Sequence, residues 1–217
     1  MTKIETKYIN HMGTDLTVVN SARVSFGKTH SEMTEGDAKL IKYLAKHRHT
    51  SPFGHCFASF HVKAPVFVAR QLVKHKFLRW NEISKRYMDN DPEFYDPEVW
   101  RGRSADKKQG SSDAQITHIG NDLVNSKVWL HNGRSLILYR EMIDAGIAPE
   151  QARAILPLST LTEWHWSGSL DAFADMAKLR LKDDTQEETR LVAQGIDRIM
   201  KLLFPLSWAA LLENENE

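Results

Sequence analysis

A dense group of cationic side chains is the part of this sequence best equipped for chemistry. Residues 71–87 read Gln-Leu-Val-Lys-His-Lys-Phe-Leu-Arg-Trp-Asn-Glu-Ile-Ser-Lys-Arg-Tyr, and the cations of the basic stretch Lys74–Arg86 are accompanied by one acid, Glu82. Like charges this close repel one another unless they are solvated or matched to an anion. From charge alone, a solvated basic surface and an anion-binding site are equally good interpretations.

Three features of the basic stretch favour a ligand site. Phe77 and Trp80 interrupt the charges, which indicates that the segment is partly packed. Asn81, Glu82 and Ser84 add short hydrogen-bonding groups suited to a heterocycle or a sugar, and the cations supply the convergent donors that a phosphate needs. Two functions remain open from these residues. One is a nucleotide-binding enzyme, and the other is a single-stranded nucleic-acid-binding module with the two aromatic rings as stacking platforms.

Length, composition and charge limit the alternatives. The chain has 217 residues, 41% of them hydrophobic and 26% charged, which predicts one globular domain spanning 1–217. The formal net charge of +1 gives no global field for nucleic acid or membrane binding. No apolar run is long enough to span a bilayer, and residues 1–7 lack the apolar stretch of a signal peptide. The single cysteine, Cys56, excludes an intramolecular disulfide, so we expect a cytoplasmic, reducing compartment.

The elements that must position the basic stretch are more helical than extended. Strands are predicted at 3–9, Cys56–Val62 and Leu158–Trp166. Helices are predicted at Asp15–Phe26, after Thr34, at Val66–Val73, from about Asp113 to Ala145, at Pro149–Leu156, at 170–181 after a Ser169 cap, and from about Gln186 to Phe204. Residues 89–112 read as an exposed loop and 213–217 as a frayed tail. This order predicts a helix-rich α+β domain with a mixed or antiparallel sheet flanked by helices.

Local patterns sharpen some of these elements. Thr34 and Asp37 form a capping-box-like start, with Asp in place of the usual Glu. In the first predicted helix, Leu16, Val19 and Val24 are expected to point inward. Pro65 is expected at the first position of its helix.

The basic stretch resembles the signature of flavin-dependent thymidylate synthases, which is Arg-His-Arg, seven residues and Ser. Here the pattern is His75-Lys76, seven residues and Ser84, and the inner part Asn81-Glu82-x-Ser84-x-Arg86-Tyr87 is close to that of the family. Further similar motifs lie in the same order, at Ala22–Phe26, Ser51–His55, Phe60–Pro65, Ala69–Gln71, Ala152–Leu158 and Leu179–Arg180. Lys74 and Lys76 replace both signature arginines, which keeps the charge but loses the planar fork.

This resemblance, which covers roughly residues 13–203, implies a specific activity and set of roles. The activity is reductive methylation of dUMP to dTMP, with 5,10-methylenetetrahydrofolate as carbon donor and NADPH-reduced FAD as reductant. The implied dUMP-binding residues are Gln71, Lys74, Glu82, Ser84, Lys85, Arg86, Arg153 and Arg180. The implied FAD-binding residues are Ser25, His49, Ser51, Lys74, His75, Lys76, Glu82, Ser169, Asp171 and Asp175. The family assembles as a homotetramer whose subunits share each site, and no nucleic acid or membrane partner is implied.

The resemblance also assigns the catalytic group. It implies that Arg180 polarises the uracil ring and stabilises the negative charge that develops on it. From the bare sequence, a cation near the C-terminus of a helix is the favoured interpretation of Arg180, and the resemblance reverses this preference. Cys56, inside a predicted strand, is interpreted as a small buried hydrophobe and not as a nucleophile. His47-x-His49 is not accompanied by a Cys pair or an H-E-x-x-H motif, so no metal site is predicted. The sequence also lacks a G-x-G-x-x-G motif, so a Rossmann-type flavoprotein is not predicted.

Overall fold

A computed structural model describes residues 4–88, 90–105 and 110–213, and its secondary structure confirms the predicted α+β class. The strands are β1 (Glu5–Met12), β2 (Phe57–Pro65), β3 (Leu78–Glu82), β4 (Arg101–Arg103), β5 (Ser111–Gln115), β6 (His118–Ile119), β7 (Asp122–Leu123) and β8 (Leu161–Ser169). The helices are α1 (Asp15–Arg23), α2 (Glu35–Lys46), α3 (Val66–Leu72), α4 (Val124–Asp144), α5 (Pro149–Ala152), α6 (Leu170–Arg180), α7 (Glu187–Leu203) and α8 (Pro205–Glu213).

A four-stranded antiparallel sheet with the order β1-β2-β8-β3 forms one layer of the fold. Side chains alternate along β2 and β8, so that one face of the sheet is buried. Phe60 and Trp166 on this face both meet the ring of Phe173 from α6 edge-on, at 5.1 and 5.5 Å between ring centroids. The core therefore lies between the sheet and the C-terminal helices, and β3 is left as an edge strand.

A side chain from the start of α1 forms hydrogen bonds with the first turn of α8, about 190 residues later in the sequence. The carboxylate of Asp15, which is buried, accepts the backbone N–H of Leu206 and that of Ser207, both at 2.9 Å. These are free N–H groups of the first turn of α8, so the side chain of Asp15 caps that helix from the other end of the sequence.

The predicted capping box at the start of α2 is confirmed. The backbone N–H of Asp37 donates to the Thr34 hydroxyl at 3.2 Å, and the backbone N–H of Thr34 donates to the Asp37 carboxylate at 3.0 Å. The same carboxylate is fully buried and accepts from Arg23 at 2.7 Å and contacts His30 at 2.8 Å. These bonds hold the pKa of Asp37 well below its usual range, against the opposing effect of burial.

Several predicted boundaries are wrong. The first predicted helix ends at Arg23 and gives way to a single 3-10 turn, which leaves Val24 71% exposed instead of buried. Pro65 is the last residue of β2 and precedes the first turn of α3, because the strand runs directly into the helix. The long predicted helix begins only at Val124. The residues before it form a hairpin in which Ile119 pairs with Asp122 across Gly120, whose φ of +64° suits a tight turn.

The stretch predicted as an exposed loop, 89–112, contains regular structure. β4 pairs with β5, and Gly102 is buried. Residues 93–95 lie along the start of β8, with the N–H of Tyr95 donating to Ser159 and the N–H of Leu161 donating to Glu93, both at 2.8 Å. Of the predicted tail, Glu213 ends α8, and the remaining residues lie outside the described part of the chain. Within the described residues, no helix is both long and apolar enough to cross a membrane.

Candidate active site

A cleft of about 940 Å³ opens beside the C-terminal ends of α3 and α6. Gln71, Lys74 and Arg180, three of the predicted site residues, line it. Its other walls come from α4, from the first turn of α7 and from segment 95–101, whose first residue, Tyr95, is held by a backbone bond to Ser159. The fold therefore brings together residues from distant parts of the sequence around one cavity.

Arg180 is the residue to which the family resemblance assigns the catalytic role. It is the last residue of α6, and its Nε donates to Nε2 of His75 at 3.0 Å. Burial, followed by the charge of Arg180, lowers the pKa of His75 to about 4, so the ring is neutral at pH 7 and can accept this bond. Burial also lowers the pKa of Arg180, although a guanidinium keeps its charge at neutral pH. Among the described residues, no carboxylate is paired with Arg180.

Gln71 lies at the end of a chain of hydrogen bonds that begins at Arg101 on β4 and passes through the start of α7. Its Nε2 donates to Oε1 of Gln186 at 2.5 Å, and its Oε1 accepts from the hydroxyl of Thr189 at 3.2 Å. Nε2 of Gln186 donates in turn to Glu188 at 3.0 Å, and Arg101 donates to the other oxygen of that carboxylate at 2.5 Å. The amide of Gln71 is thus held by partners on both its ends.

Four predicted substrate-binding residues lie outside this cleft, on the edge strand and the turn that follows it. Oε1 of Glu82 accepts from the hydroxyl of Thr162 at 2.7 Å. Nε of Arg86 donates to the hydroxyl of Ser84 at 3.3 Å, and Lys85 donates to the side chain of Asn90 at 2.8 Å. Glu82 and Arg86 are exposed, whereas Ser84 and Lys85 are half-buried.

The two aromatic residues of the basic stretch have different environments. Phe77 is 80% exposed and has a φ of +66°. Trp80 instead stacks on Trp164 at 4.3 Å and donates its N–H to Glu82 at 3.0 Å. One of the two stacking platforms considered for single-stranded nucleic acid is therefore already engaged within the chain, which counts against that alternative.

A second groove of about 490 Å³ brings together three predicted FAD-binding residues, His49, Asp171 and Asp175. Oδ1 of Asp171 is buried and has no hydrogen-bond partner among the described residues. Asp175 is exposed and lies 3.7 Å from the ammonium group of Lys178. A buried acceptor of this kind is costly unless a donor reaches it, which makes the groove a reasonable place for a ligand N–H or O–H.

The remaining predicted residues are not brought into either cavity. Ser25, Ser51 and Lys76 are exposed, and Ser169 occupies the N-cap position of α6 without a side-chain capping bond. Arg153 is also exposed, and its Nε donates to the backbone oxygen of Glu150 at 3.3 Å. If these side chains bind ligand, they do so from the surface of the chain.

Cys56 lies in surroundings that disfavour a thiolate. It is fully buried in the core, and its thiol donates to the backbone oxygen of Thr14 at 3.5 Å. Burial, followed by the charge of Asp15, raises the pKa of the Cys56 thiol to about 11. Thiolate formation at neutral pH is therefore strongly disfavoured.

Five residues of the cleft wall that carry charged, imidazole or amide side chains were not identified from the sequence. They are Arg101, His131, Asn132, Gln186 and Glu188. Arg101 and Glu188 are 87 positions apart, so no local pattern links them. A polar pair in the middle of a helix, such as His131 and Asn132, is the one signal that could have drawn attention to α4.

Comparison with known proteins gives one consistent result. A family model described as thymidylate synthase complementing protein matches residues 7–206. A flavin-dependent thymidylate synthase from Thermus thermophilus is 40% identical over 208 residues, which is 96% of this chain and 75% of that protein. One from Treponema denticola is 39% identical over 214 residues, which is 96% of this chain and 79% of that protein.

A solved structure resembles the whole fold. It is a UMP/dUMP methylase, PolB, from Streptomyces cacaoi bound with 5-Br dUMP, with a TM-score of 0.85 and 28% sequence identity. The match covers 98% of this chain and 96% of that one.

Proposed function

This chain belongs to the flavin-dependent thymidylate synthase family, and on that basis we propose that it converts dUMP to dTMP by reductive methylation. The carbon donor is 5,10-methylenetetrahydrofolate, and NADPH supplies the electrons through FAD. The observation that carries the proposal is the position of Arg180, a cation without a carboxylate partner among the described residues, in a cleft that also contains Gln71.

Arg180 activates the uracil ring in this proposal. Its guanidinium stabilises the negative charge that develops across the ring nitrogen and carbonyl oxygens when the ring carbon attacks the one-carbon unit. Neutral His75 holds Nε of Arg180 through the 3.0 Å bond, so that the remaining N–H groups are free to meet the base. An orientation fixed before the substrate binds avoids reorganisation during the reaction.

A mechanism without a cysteine nucleophile agrees with the state of Cys56. The sequence contains no other cysteine, and this one is buried with a pKa raised to about 11. Ring activation by electrostatics then replaces activation by thiolate addition.

The phosphate of dUMP is held by donors of the turn that follows the edge strand, together with Arg153. Ser84, Lys85 and Arg86 supply a hydroxyl and two cations within three residues, which suits a phosphate. These groups are outside the cleft of their own chain, so the proposal requires a neighbouring subunit to complete each site. We accordingly propose a homotetramer with shared sites.

Exposed apolar side chains on α4 agree with such an assembly. Trp129 is 70% exposed, and three further apolar residues of the helix, Leu130, Ile137 and Leu138, are also exposed. Several large apolar side chains exposed on one helix are typical of contact surfaces between subunits.

The residues available for FAD fit that cofactor. Lys74 and Lys76 are exposed cations without an ion-pair partner in the described part of the chain, which suits the diphosphate. His75 and Glu82 lie beside them, and Asp171 offers a buried acceptor for a ring N–H. His49 and Asp175 line the same groove as Asp171, and Ser25, Ser51 and Ser169 are the further proposed contacts. When bound, reduced FAD supplies the two electrons that convert the transferred methylene group into a methyl group.

The decisive experiment is an anaerobic assay of dTMP formation with the purified protein. FAD, NADPH, methylenetetrahydrofolate and dUMP are each omitted in turn, and dTMP is measured by chromatography. We expect product only in the complete mixture and a yellow protein once FAD is supplied. A protein that takes up no FAD, or that forms no dTMP in the complete mixture, would refute the proposal.

A further inference from the structure

The hydrogen-bond chain from Arg101 to Gln71 has a fixed direction because its first two members cannot exchange roles. A guanidinium can only donate, and an ionised carboxylate can only accept. Glu188 is buried, with a side chain that is 6% exposed, and it receives Arg101 on one oxygen and Gln186 on the other. Gln186 must therefore turn its NH₂ group towards Glu188 and its oxygen towards Gln71.

The same logic fixes the next amide. The oxygen of Gln186 accepts, so Gln71 must turn its NH₂ group towards Gln186, at 2.5 Å. The oxygen end of Gln71 then accepts from Thr189, whose side chain is fully buried. Gln186 lines the cleft, whereas Thr189 is not among the residues that do. The NH₂ end of Gln71 is consequently the end nearer the cleft, and one of its two N–H groups remains for a ligand.

We propose that Glu188 is a positioning residue, which keeps the amide of Gln71 in the orientation that offers an N–H donor to the nucleotide. An acceptor oxygen of dUMP is the chemistry that this donor recognises. The inference rests on the proposed function, because it requires Gln71 to contact dUMP. It assigns to Glu188, 117 positions from Gln71 in the sequence, a part in substrate recognition without contact to the substrate.

The substitution Glu188→Gln tests the direction of the chain. A glutamine at this position has one oxygen, which the guanidinium of Arg101 requires as its acceptor. Its NH₂ group then faces Gln186 and favours the reversed orientation of that amide, and the reversal passes on to Gln71. The oxygen of Gln71 would now face the cleft, where it meets the acceptor oxygen of the nucleotide. A polar contact changed from attraction to repulsion costs about tenfold or more in affinity.

The experiment measures the Kd of dUMP by calorimetry with the FAD-loaded protein. We compare the wild type, E188Q, Q71A and the double variant. E188Q should bind dUMP about tenfold more weakly than the wild type, and it should change the Kd less than twofold in the Q71A background. Glu188→Asp keeps a group that can only accept and should retain most of the affinity that E188Q loses.

Glu187→Gln is the matched control. Glu187 pairs with Nη1 of Arg101 at 2.6 Å, so this variant also removes one negative charge beside Arg101. The side chain that Gln186 bonds is that of Glu188, which this control leaves unchanged. Its Kd for dUMP should stay within about twofold of the wild type. If E188Q does not fold, Gln186→Leu interrupts the same chain and should weaken dUMP binding only when Gln71 is present.

The outcomes separate the inference from the proposed function. A wild-type protein that binds no dUMP would overturn both. Normal dUMP binding by the wild type, with an equal loss for E188Q in the Gln71 and Q71A backgrounds, would overturn the inference alone. An unchanged Kd in E188Q, or a loss in E187Q as large as that in E188Q, would do the same.

Discussion

Replacing His75 by Gln removes the titratable group that lies next to Arg180. The glutamine side chain is of similar length and keeps a hydrogen-bond acceptor for Arg180. In the folded protein, burial and the nearby guanidinium lower the pKa of His75 from its ordinary value of 6.5 to about 4. At a pH between these two pKa values, His75 is therefore protonated in the unfolded chain and neutral in the folded chain. The wild type is fully stabilised above about pH 6.5 and loses stability as the pH falls towards 4.

The size of this loss follows from the two pKa values. The separation between 6.5 and about 4 corresponds to at most about 3.4 kcal/mol. At pH 4.5 about 2.5 kcal/mol of it is realised, and screening by solvent at the partly exposed ring reduces this to about 2 kcal/mol. The variant H75Q has no such group, so its free energy of unfolding should fall by about 2 kcal/mol less than that of the wild type between pH 7.5 and 4.5.

The assay is urea unfolding of both proteins at equal concentration, at pH 7.5, 6.0, 5.0 and 4.5. The difference between wild type and H75Q should grow with each step to lower pH, and thermal unfolding should show a relative shift of roughly 5 °C at pH 4.5. The value for each protein at pH 7.5 is its own reference, so that any change in packing caused by the substitution is subtracted. A difference that stays constant across the pH range, or one that grows towards high pH, would refute the assignment of a neutral His75 beside Arg180.

Four further variants test the remaining roles. Arg180→Ala should lower dTMP formation at least about 100-fold while FAD remains bound, as measured by product and by visible absorbance; near-normal turnover would place ring activation elsewhere. Cys56→Ala should keep turnover within about twofold, since the thiol is buried, and a complete loss of activity in a folded variant would contradict this. Asp37→Asn should lower the free energy of unfolding in urea by about 3 kcal/mol because it leaves buried donors and a cation without their partner; a change below 1 kcal/mol would be inconsistent. The double change Lys74→Arg and Lys76→Arg should lower the Kd for FAD roughly tenfold in a fluorescence titration, because two planar forks replace point charges; weaker FAD binding would exclude both lysines from the diphosphate site.

Local chemistry made part of the fold predictable. The capping box of Thr34 and Asp37 uses backbone groups three residues apart, so its sequence pattern is sufficient. The hairpin before α4 was missed, although Gly120 and Asn121 are typical of a tight turn, because the apolar residues around them also fit a helical period. Segment 93–95 is held by backbone hydrogen bonds to the start of β8. Such bonds do not depend on side-chain type, so no sequence pattern predicts them.

The candidate site was predictable only where a motif lies in one short segment or matches a family. Arg180 and His75 are 105 positions apart, and their hydrogen bond follows from the packing of α6 beside the end of α3. The same holds for Glu188, whose role depends on Arg101 and Gln186 being present at the same place. The binding roles of the edge-strand residues, such as Ser84 and Arg86, stay predictions, because one chain alone does not bring them to the cleft.

The capping of α8 by Asp15 has a consequence for how the chain acquires its structure during synthesis. Two backbone N–H groups of the first turn of α8 need a carboxylate that was made about 190 residues earlier. A ribosome that has released only the first 200 residues therefore holds a chain whose Asp15 has no partner and whose core lacks Trp208. Folding of this domain is therefore completed only after α8 has emerged, and the growing chain exposes apolar surface until then. Cells that make this protein quickly, or at high temperature, should depend on chaperones to bridge that interval.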